Sequence, residues 1–323
     1  MAELAYVRAL NRALAEEMRR DGRVIVLGED VAEGGPYGAT RELAEEFGAE
    51  RVRNTPISEA TVTGVAIGAA LAGWRPVLEI MFIDFITLAL DQLVNHGAKA
   101  RYMSGGQLRV PLVLRTQGGA GSRSGAQHSQ SLEAWLAHVP GLAVVMPSNA
   151  ADAAGLLRSA IRDDDPVVVV EHKALYYRKG DVPDGAVVPI GQAAVRRAGR
   201  DVTVVATSRL VDEALAAAET LASEGIEVEV VDPRTIQPLD RDTIISSARR
   251  TRRVVVAHEA VTAYGVGAEI AAVIQEEALD LLEAPVLRLG APFTPVPTSA
   301  ALEDVYLVGR AQIADAVRRA LAW

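Results

Sequence analysis

The sequence predicts an α/β protein made of two parallel-sheet domains, and three observations predict it. Short, continuously apolar, β-branched runs recur along the chain. Ala-rich stretches with helical spacing separate them. The alternation then breaks once, near residue 185, and resumes. Strands that are apolar on both faces and joined by helices belong in a parallel sheet covered on both sides. A length of 323 residues accommodates two such domains at ~100–200 residues each, every one with its own core.

The elements follow in order. The opening run, MAELAYVRALNRALAEEMRRDGR, is an amphipathic helix rich in Arg and Glu, without the apolar core of a signal peptide. RVIVL (23–27), PVLEI (76–80), PLVLR (111–115), LAVVM (142–146) and PVVVVE (166–171) read as buried strands. Residues 59–72, 84–102 and 149–162 read as the helices between them, with Gly or Pro at the boundaries. Residues 176–200 carry Pro, Gly and mixed charge, so a first domain over 1–185 and a connection over 186–200 are expected. The pattern restarts with DVTVVAT, IEVEVVD, RRVVVAHE and APVLRL, interleaved with helices at 210–224, 240–249, 265–277 and 312–323. These make a second, smaller α/β domain over 201–323.

Composition narrows the function classes. A net charge of −9 disfavours non-specific nucleic-acid binding, which needs Lys and Arg to replace phosphate counterions. The absence of cysteine removes disulfides, thiolate catalysis, iron–sulfur clusters and cysteine zinc sites together. No apolar stretch approaches the ~20 residues that span a bilayer. A cytoplasmic protein without membrane or nucleic-acid partners is expected, and its redox chemistry must belong to a cofactor or to another protein.

Three stretches can carry chemistry, and each also has a plain structural reading. In NTPISE (54–59), Pro56 extends the chain, Ser58 can cap a helix and Glu59 falls in its first turn. A glutamate there also simply answers the helix dipole. The run GGAGSRSGAQHSQ (118–130) follows a strand, at the carboxyl end where open α/β sheets place ligands. It matches neither a dinucleotide fingerprint nor a P-loop, and offers a flexible loop bearing one imidazole, His128. A histidine in a polar loop is equally often surface decoration. The triplet Asp163–Asp164–Asp165 reads as a solvated turn, or as oxygen ligands for a hard cation. The other histidines have no metal-ligand spacing.

Taken together, ordered motifs carry a resemblance across essentially the whole chain. They are GEDVAEGGPYGATREL, NTPISEATVTGVAIGAALAG, EIMFIDFITLALDQ, GAQHSQSLEAWLAHVPGL, SAIRDDDPVVVVEHK, VDPRTIQPLD and VVVAHEAVTAYGVGAEI. The chain resembles the β subunit of the thiamine-diphosphate-dependent 2-oxo acid dehydrogenase component, the group with pyruvate, branched-chain and acetoin members. The resemblance implies a pyrimidine-binding domain followed by a transketolase-type C-terminal domain. It places Glu59 on a ring nitrogen of the cofactor's aminopyrimidine, where a carboxyl group favours the imino tautomer that removes the thiazolium proton. Phe85 would pack on the aminopyrimidine, with Met81 and Ile57 beside the cofactor. His128 would serve the 2-oxo acid and acyl transfer to a lipoyl group. Leu112, Ala160, Ile161, Asp163 and Asp165 match a potassium site of several members.

The diphosphate-anchoring GDG…N stretch of thiamine enzymes has no counterpart. Gly180–Asp181–Val182 lacks the second Gly. The resemblance therefore implies an α subunit that brings the diphosphate and Mg²⁺ half of the site, in an assembly of two α and two β chains. It further implies a dihydrolipoyl acyltransferase core, reached through its subunit-binding and lipoyl domains, with the acidic balance steering a basic docking domain. The implied activity is decarboxylation of a 2-oxo acid, of pyruvate type first, or cleavage of acetoin, with reductive acylation of lipoyl groups. Half of a split transketolase-like enzyme and a non-catalytic docking scaffold are the alternatives.

Overall fold

In a computed structural model describing residues 2–323, the chain divides into two units. The first comprises residues up to Gly118 together with Trp135–Ile190, and the second comprises Gly119–Ala134 with Gly191–Trp323. The glycine-rich segment, placed by sequence inside the first domain, thus clusters with the second.

The first unit has strands β1 (Ala2–Ala5), β2 (Val24–Gly28), β3 (Val52–Asn54), β4 (Arg75–Ile80), β5 (Val113–Gly118), β6 (Ala143–Val145), β7 (Val167–His172) and β8 (Lys179–Val182). Its helices are α1 (Tyr6–Arg20), α2 (Leu43–Phe47), α3 (Glu59–Leu71), α4 (Ile86–Asp91), α5 (Ala100–Met103), α6 (Glu133–Ala137, which begins at the end of the glycine-rich segment) and α7 (Ala150–Arg162). Strands β6-β7-β5-β4-β2-β3 lie side by side, all parallel. Helix α1 turns Tyr6, Leu10, Ala13 and Leu14 to one face at helical spacing, and they close with Ala153, Leu156 and Leu157 of α7 over Val24, Val26 and Val167. Near the end of the predicted first domain lies β8, paired antiparallel to β1.

The predicted helix over 84–102 is broken. It comprises a 3₁₀ turn at Ile83–Phe85, α4, a π-helical turn at Gln92–Gly97, and α5. Asn95 donates to Asp91 Oδ1 at 2.7 Å, four residues back, and Gly97 lies beside Ile67 of α3. Such π turns are rare, and where they interrupt helices they are frequently found at functional sites.

The second unit contains β9 (Ala194–Arg197), β10 (Val202–Ala206), β11 (Val228–Asp232), β12 (Thr235–Gln237), β13 (Val254–Val261) and β14 (Leu287–Ala291), with α8 (Leu210–Ala222), α9 (Arg241–Thr251), α10 (Val266–Ala278), α11 (Ala300–Tyr306) and α12 (Arg310–Leu321). Its sheet runs β14-β13-β10-β11-β9, parallel except for the edge strand β9. Helices α8 and α12 cover one face through Leu210, Ala214, Ile313 and Val317, and α9 and α10 cover the other through Ile244, Val273 and Ile274. No helix among the described residues is long and apolar enough to cross a membrane.

Two buried polar features set stability. In the first unit, Arg115 is wholly buried between Glu79 and Glu171, at 2.7 Å from each. Removing one member of a buried ion network leaves uncompensated charge. Arg115→Met therefore lowers unfolding free energy by roughly 3–5 kcal/mol in urea titrations. A variant as stable as the parent would show that the two carboxylates do not depend on this cation.

In the second unit, His258 on β13 is buried against Gly265, Gly267 and Gly290, and burial lowers its pKa to about 4, with Arg288 adding to the effect. The folded-state value lies below the unfolded value of about 6.5. The stability that the neutral ring confers is therefore complete above pH ~6.5 and is lost as pH falls through the folded value. Thermal melts between pH 7 and 4 show a falling midpoint, and His258→Gln flattens that slope. An unchanged slope would remove His258 from the acid response.

Candidate active site

Three adjacent strand ends deliver the first part of the predicted site. β3 and β4 flank β2 in parallel. The segments leaving Gly28, Asn54 and Ile80 therefore emerge side by side, at the carboxyl edge where open α/β sheets bind ligands. β2 supplies Glu29, β3 leads through NTPIS to Glu59, and β4 leads to Met81 and Phe85.

Glu59 is the first residue of α3 and is only 8% exposed. Glu29 lies close enough to feel its charge. Burial, then the charges of Glu59 and Asp30, hold the Glu29 carboxyl above the usual range. The two segments are stitched together, since Thr55 N donates to Gly28 O at 2.9 Å and Ala32 N to Asn54 Oδ1 at 2.8 Å. Gly28 is required by close approach, because a Cβ there would fall 2.8 Å from Glu79 O.

Met81 and Phe85 are half-buried and bracket the 3₁₀ turn that leads into α4, which packs on α3. Phe82 between them is pinned by Lys173 Nζ, 5.0 Å from its ring centroid, and by Tyr37 edge-on at 6.3 Å. Tyr37 in turn lies 4.7 Å from the ring of Tyr176. Ile57, by contrast, is 80% exposed, so within this chain it does not wall in Glu59.

His128 lies in the second unit, half-buried, in the segment between β5 and α6. Gly119 N donates to Gln130 O at 3.1 Å and closes the base of that loop. Carboxylates from β13 and α11 receive its amides: Ala120 N donates to Glu259 Oε1 at 2.7 Å, and Gly121 N to Glu303 Oε1 at 2.9 Å. Glu133, where the loop enters α6, is buried with its Oε2 lacking a hydrogen-bond partner, and burial, with the charge of Glu259, pushes its pKa up to about 7.

The expected potassium ligands are already engaged. Arg75 Nε donates to Ile161 O at 2.8 Å and another nitrogen of its guanidinium donates to Asp163 O. The carboxylate of Asp165 receives Arg101 Nε at 2.6 Å. The carbonyls of Leu112 and Ala160 accept the amides of Val167 and Asp163. As folded, this donor set fits a tethered guanidinium rather than a bound ion. Among the described residues no group of three or more His, Cys, Asp or Glu could hold a metal.

The structure thus gathers Glu59, Met81 and Phe85 at one sheet edge of the first unit, and puts His128 on a loop of the second. Sequence reasoning missed Glu29, although an acidic residue directly after a strand-ending glycine was a usable signal. It also missed Glu259 and Glu303, which only long-range folding brings to the loop.

Comparison with known proteins agrees with this architecture. Residues 2–179 match the pyrimidine binding domain of transketolase, and residues 191–313 match its C-terminal domain. The chain is 47% identical over 313 residues to the acetoin:2,6-dichlorophenolindophenol oxidoreductase subunit beta of Bacillus subtilis, covering 93% of this chain and 92% of the relative. It is 46% identical over 321 residues to the pyruvate dehydrogenase E1 component subunit beta of Rhizobium meliloti, covering 98% and 70%. A solved split gene transketolase, described as an inactive beta4 tetramer, superposes with a TM-score of 0.83 at 26% identity, covering 99% of this chain and 98% of that one. With both domains matched in order and close to half of its residues shared with such subunits, the chain belongs to the family of β subunits of the thiamine-diphosphate-dependent 2-oxo acid dehydrogenases, in their pyruvate and acetoin group.

Proposed function

We propose that this chain supplies the aminopyrimidine half of a thiamine-diphosphate site and that, with an α subunit, it decarboxylates a 2-oxo acid of pyruvate type and passes the acyl group to a lipoyl carrier. The observation that carries the reading is the juxtaposition of a buried carboxyl, Glu59, with the Met81–Phe85 turn at neighbouring parallel strand ends. Thiamine diphosphate, when bound, supplies the electron sink that lets a carbon–carbon bond beside a carbonyl break. Glu59 holds a proton toward a ring nitrogen of the aminopyrimidine, and Phe85 offers it an apolar face, with Met81 alongside. His128 serves the 2-oxo acid and the lipoyl acceptor.

A second chain completes the site in this reading. Ile57 is exposed where a cofactor contact is expected, and Val65 and Leu88 on α3 and α4 are exposed too. The Gly180–Asp181 pair, the nearest thing to a diphosphate anchor, is taken up in β8. An α subunit bringing the diphosphate and Mg²⁺ answers both facts, in an assembly of two α and two β chains. The second unit docks a dihydrolipoyl acyltransferase core. Acetoin is the second substrate reading, favoured by the 47% identity to an acetoin-enzyme subunit, which matches the 46% to a pyruvate-enzyme subunit.

Co-expression with an α subunit, followed by turnover of pyruvate, branched-chain 2-oxo acids and acetoin with thiamine diphosphate and Mg²⁺, tests this directly. Pyruvate is expected to be the best donor, and Glu59→Gln to lose about 100-fold or more in kcat, the range of positioned proton transfer. Full activity in Glu59→Gln would refute the proton role, and silence on every donor would favour a docking scaffold. Sugar-phosphate turnover would favour a split transketolase.

Potassium has no role in this reading, because Arg75 already neutralises the turn after α7. Exchanging Na⁺ for K⁺ leaves the thermal midpoint unchanged. A rise specific to K⁺ would show that an ion shares those carbonyls.

A further inference from the structure

We infer that Glu259 and Glu303 are positioning residues for His128: two buried carboxylates of the second unit hold the glycine-rich loop in the form that presents the imidazole. This rests on the role proposed above for His128 and adds the residues that make the role possible.

The loop has little reason to hold still by itself. Gly119, Gly121 and Gly125 adopt positive φ, as does Arg123 at 61°. Fixing such a segment costs conformational entropy at every residue, most of all at glycine, so its order must come from ties to its surroundings. Those ties are electrostatic and specific. Glu259 accepts Ala120 N, while its other oxygen receives Arg209 Nε at 2.7 Å, and Arg209 also donates to Val308 O at 2.9 Å. Glu303 accepts Gly121 N at 2.9 Å and Arg123 N at 3.3 Å. The side chain of Arg123 reaches back to Glu303 Oε2 at 2.8 Å, Ala300 O at 3.0 Å and Asp304 Oδ1 at 2.7 Å. Farther along, Gly125 sits where a Cβ would fall 2.6 Å from Thr298 Oγ1.

Burial of carboxylates is unfavourable unless they are paired and hydrogen-bonded. Glu303 is fully buried, and Glu259 nearly so. What they gain in exchange are charge-assisted bonds to the amides of one loop. The anchors cluster at its first half, and the Gly119–Gln130 hydrogen bond closes its base. His128 therefore hangs on a segment whose ends are fixed, three residues past the glycine that meets Thr298. Loosening the anchors displaces the imidazole without touching it.

The test uses the assembled α–β complex with thiamine diphosphate and Mg²⁺, and His128→Gln as reference. Glu303→Ala is expected to lower kcat for lipoamide acylation by about 10- to 100-fold, the scale of a catalytic group misplaced by roughly an ångström. The Kd for thiamine diphosphate, read by fluorescence quenching, stays at the parental value, a split that a general loss of folding would not produce. Glu303→Gln keeps an oxygen for Gly121 N and recovers most of the rate. Arg123→Ala falls between the two. If Glu303→Ala does not assemble, Arg123→Ala decides by the same criterion. Parental acylation rates in these variants, with His128→Gln impaired, would overturn the inference and leave the proposed function standing. Parental acylation by His128→Gln would instead overturn the role of His128 on which the inference rests.

Discussion

The candidate site of the first unit depends on one guanidinium. Arg115 sits on β5 directly opposite Glu79 of β4 in the parallel register, and it reaches both oxygens of Glu171 on the other neighbour, β7. Gln117 donates to Glu79, and the hydroxyl of Tyr176 donates to Glu171. Two carboxylates share one cation in a dry interior, so burial leaves Glu79 above the ordinary carboxylate range even though Arg115 pulls it down. An apolar core could fill the same volume. What it could not do is tie β4, β5 and β7 together in fixed polar register, and β4 is the strand whose end leads to Met81 and Phe85. Glu79 meets Gly28 and Gly35 of the segment that bears Glu29, and Tyr176 supports Tyr37, which supports Phe82 between Met81 and Phe85.

How far the sequence announces this can be judged element by element. The strands were legible because short apolar, β-branched runs mark them even where one buried polar residue such as Glu79 interrupts: 76–80 was expected and Arg75–Ile80 observed. The helices at Glu59–Leu71 and Ala150–Arg162 were legible because each has a clear start, Ser58 before one and Asn149 capping the other through Asp152 N. The break in 84–102 was not, since the stretch holds no Pro and its one Gly, Gly97, falls only at the end of the π turn. The place and pairing of strand β8 could not be read, because its partner, β1, lies some 180 residues away in the chain.

The candidate site divides in the same way. Glu59 and His128 stand in stretches whose residues alone make them candidates, whereas Phe85 was picked out through the resemblance carried by EIMFIDFITLALDQ. Arg75 on the Ile161 and Asp163 carbonyls could not be picked out, for it is 86 residues from the first of them, and nothing local says that a guanidinium fills the turn. Helix α11 was absent from the sequence reading altogether, being only Ala300–Tyr306, yet it brings the fully buried Glu303. Residues proposed to perform chemistry leave signals in the motifs around them. Residues that position them act through long-range pairing and leave almost none.

This distinction changes what the net charge means. A balance of −9 reads first as a surface property, one that repels nucleic acid and steers a basic partner. Glu79, Glu171, Glu259 and Glu303 are all part of the same sum, yet all are buried and none contributes to an accessible acidic face. They are internal acceptors, each matched to an arginine. Arginine suits this use because its planar fork can satisfy two acceptors at once, as Arg115 and Arg123 both do. Steering of a docking partner must therefore come from the exposed acidic residues alone. The buried ones hold strand ends and the glycine-rich loop in place, and their charge acts inside the protein, on the arginines and amides that pair with them and on neighbours such as Glu133 and Tyr176.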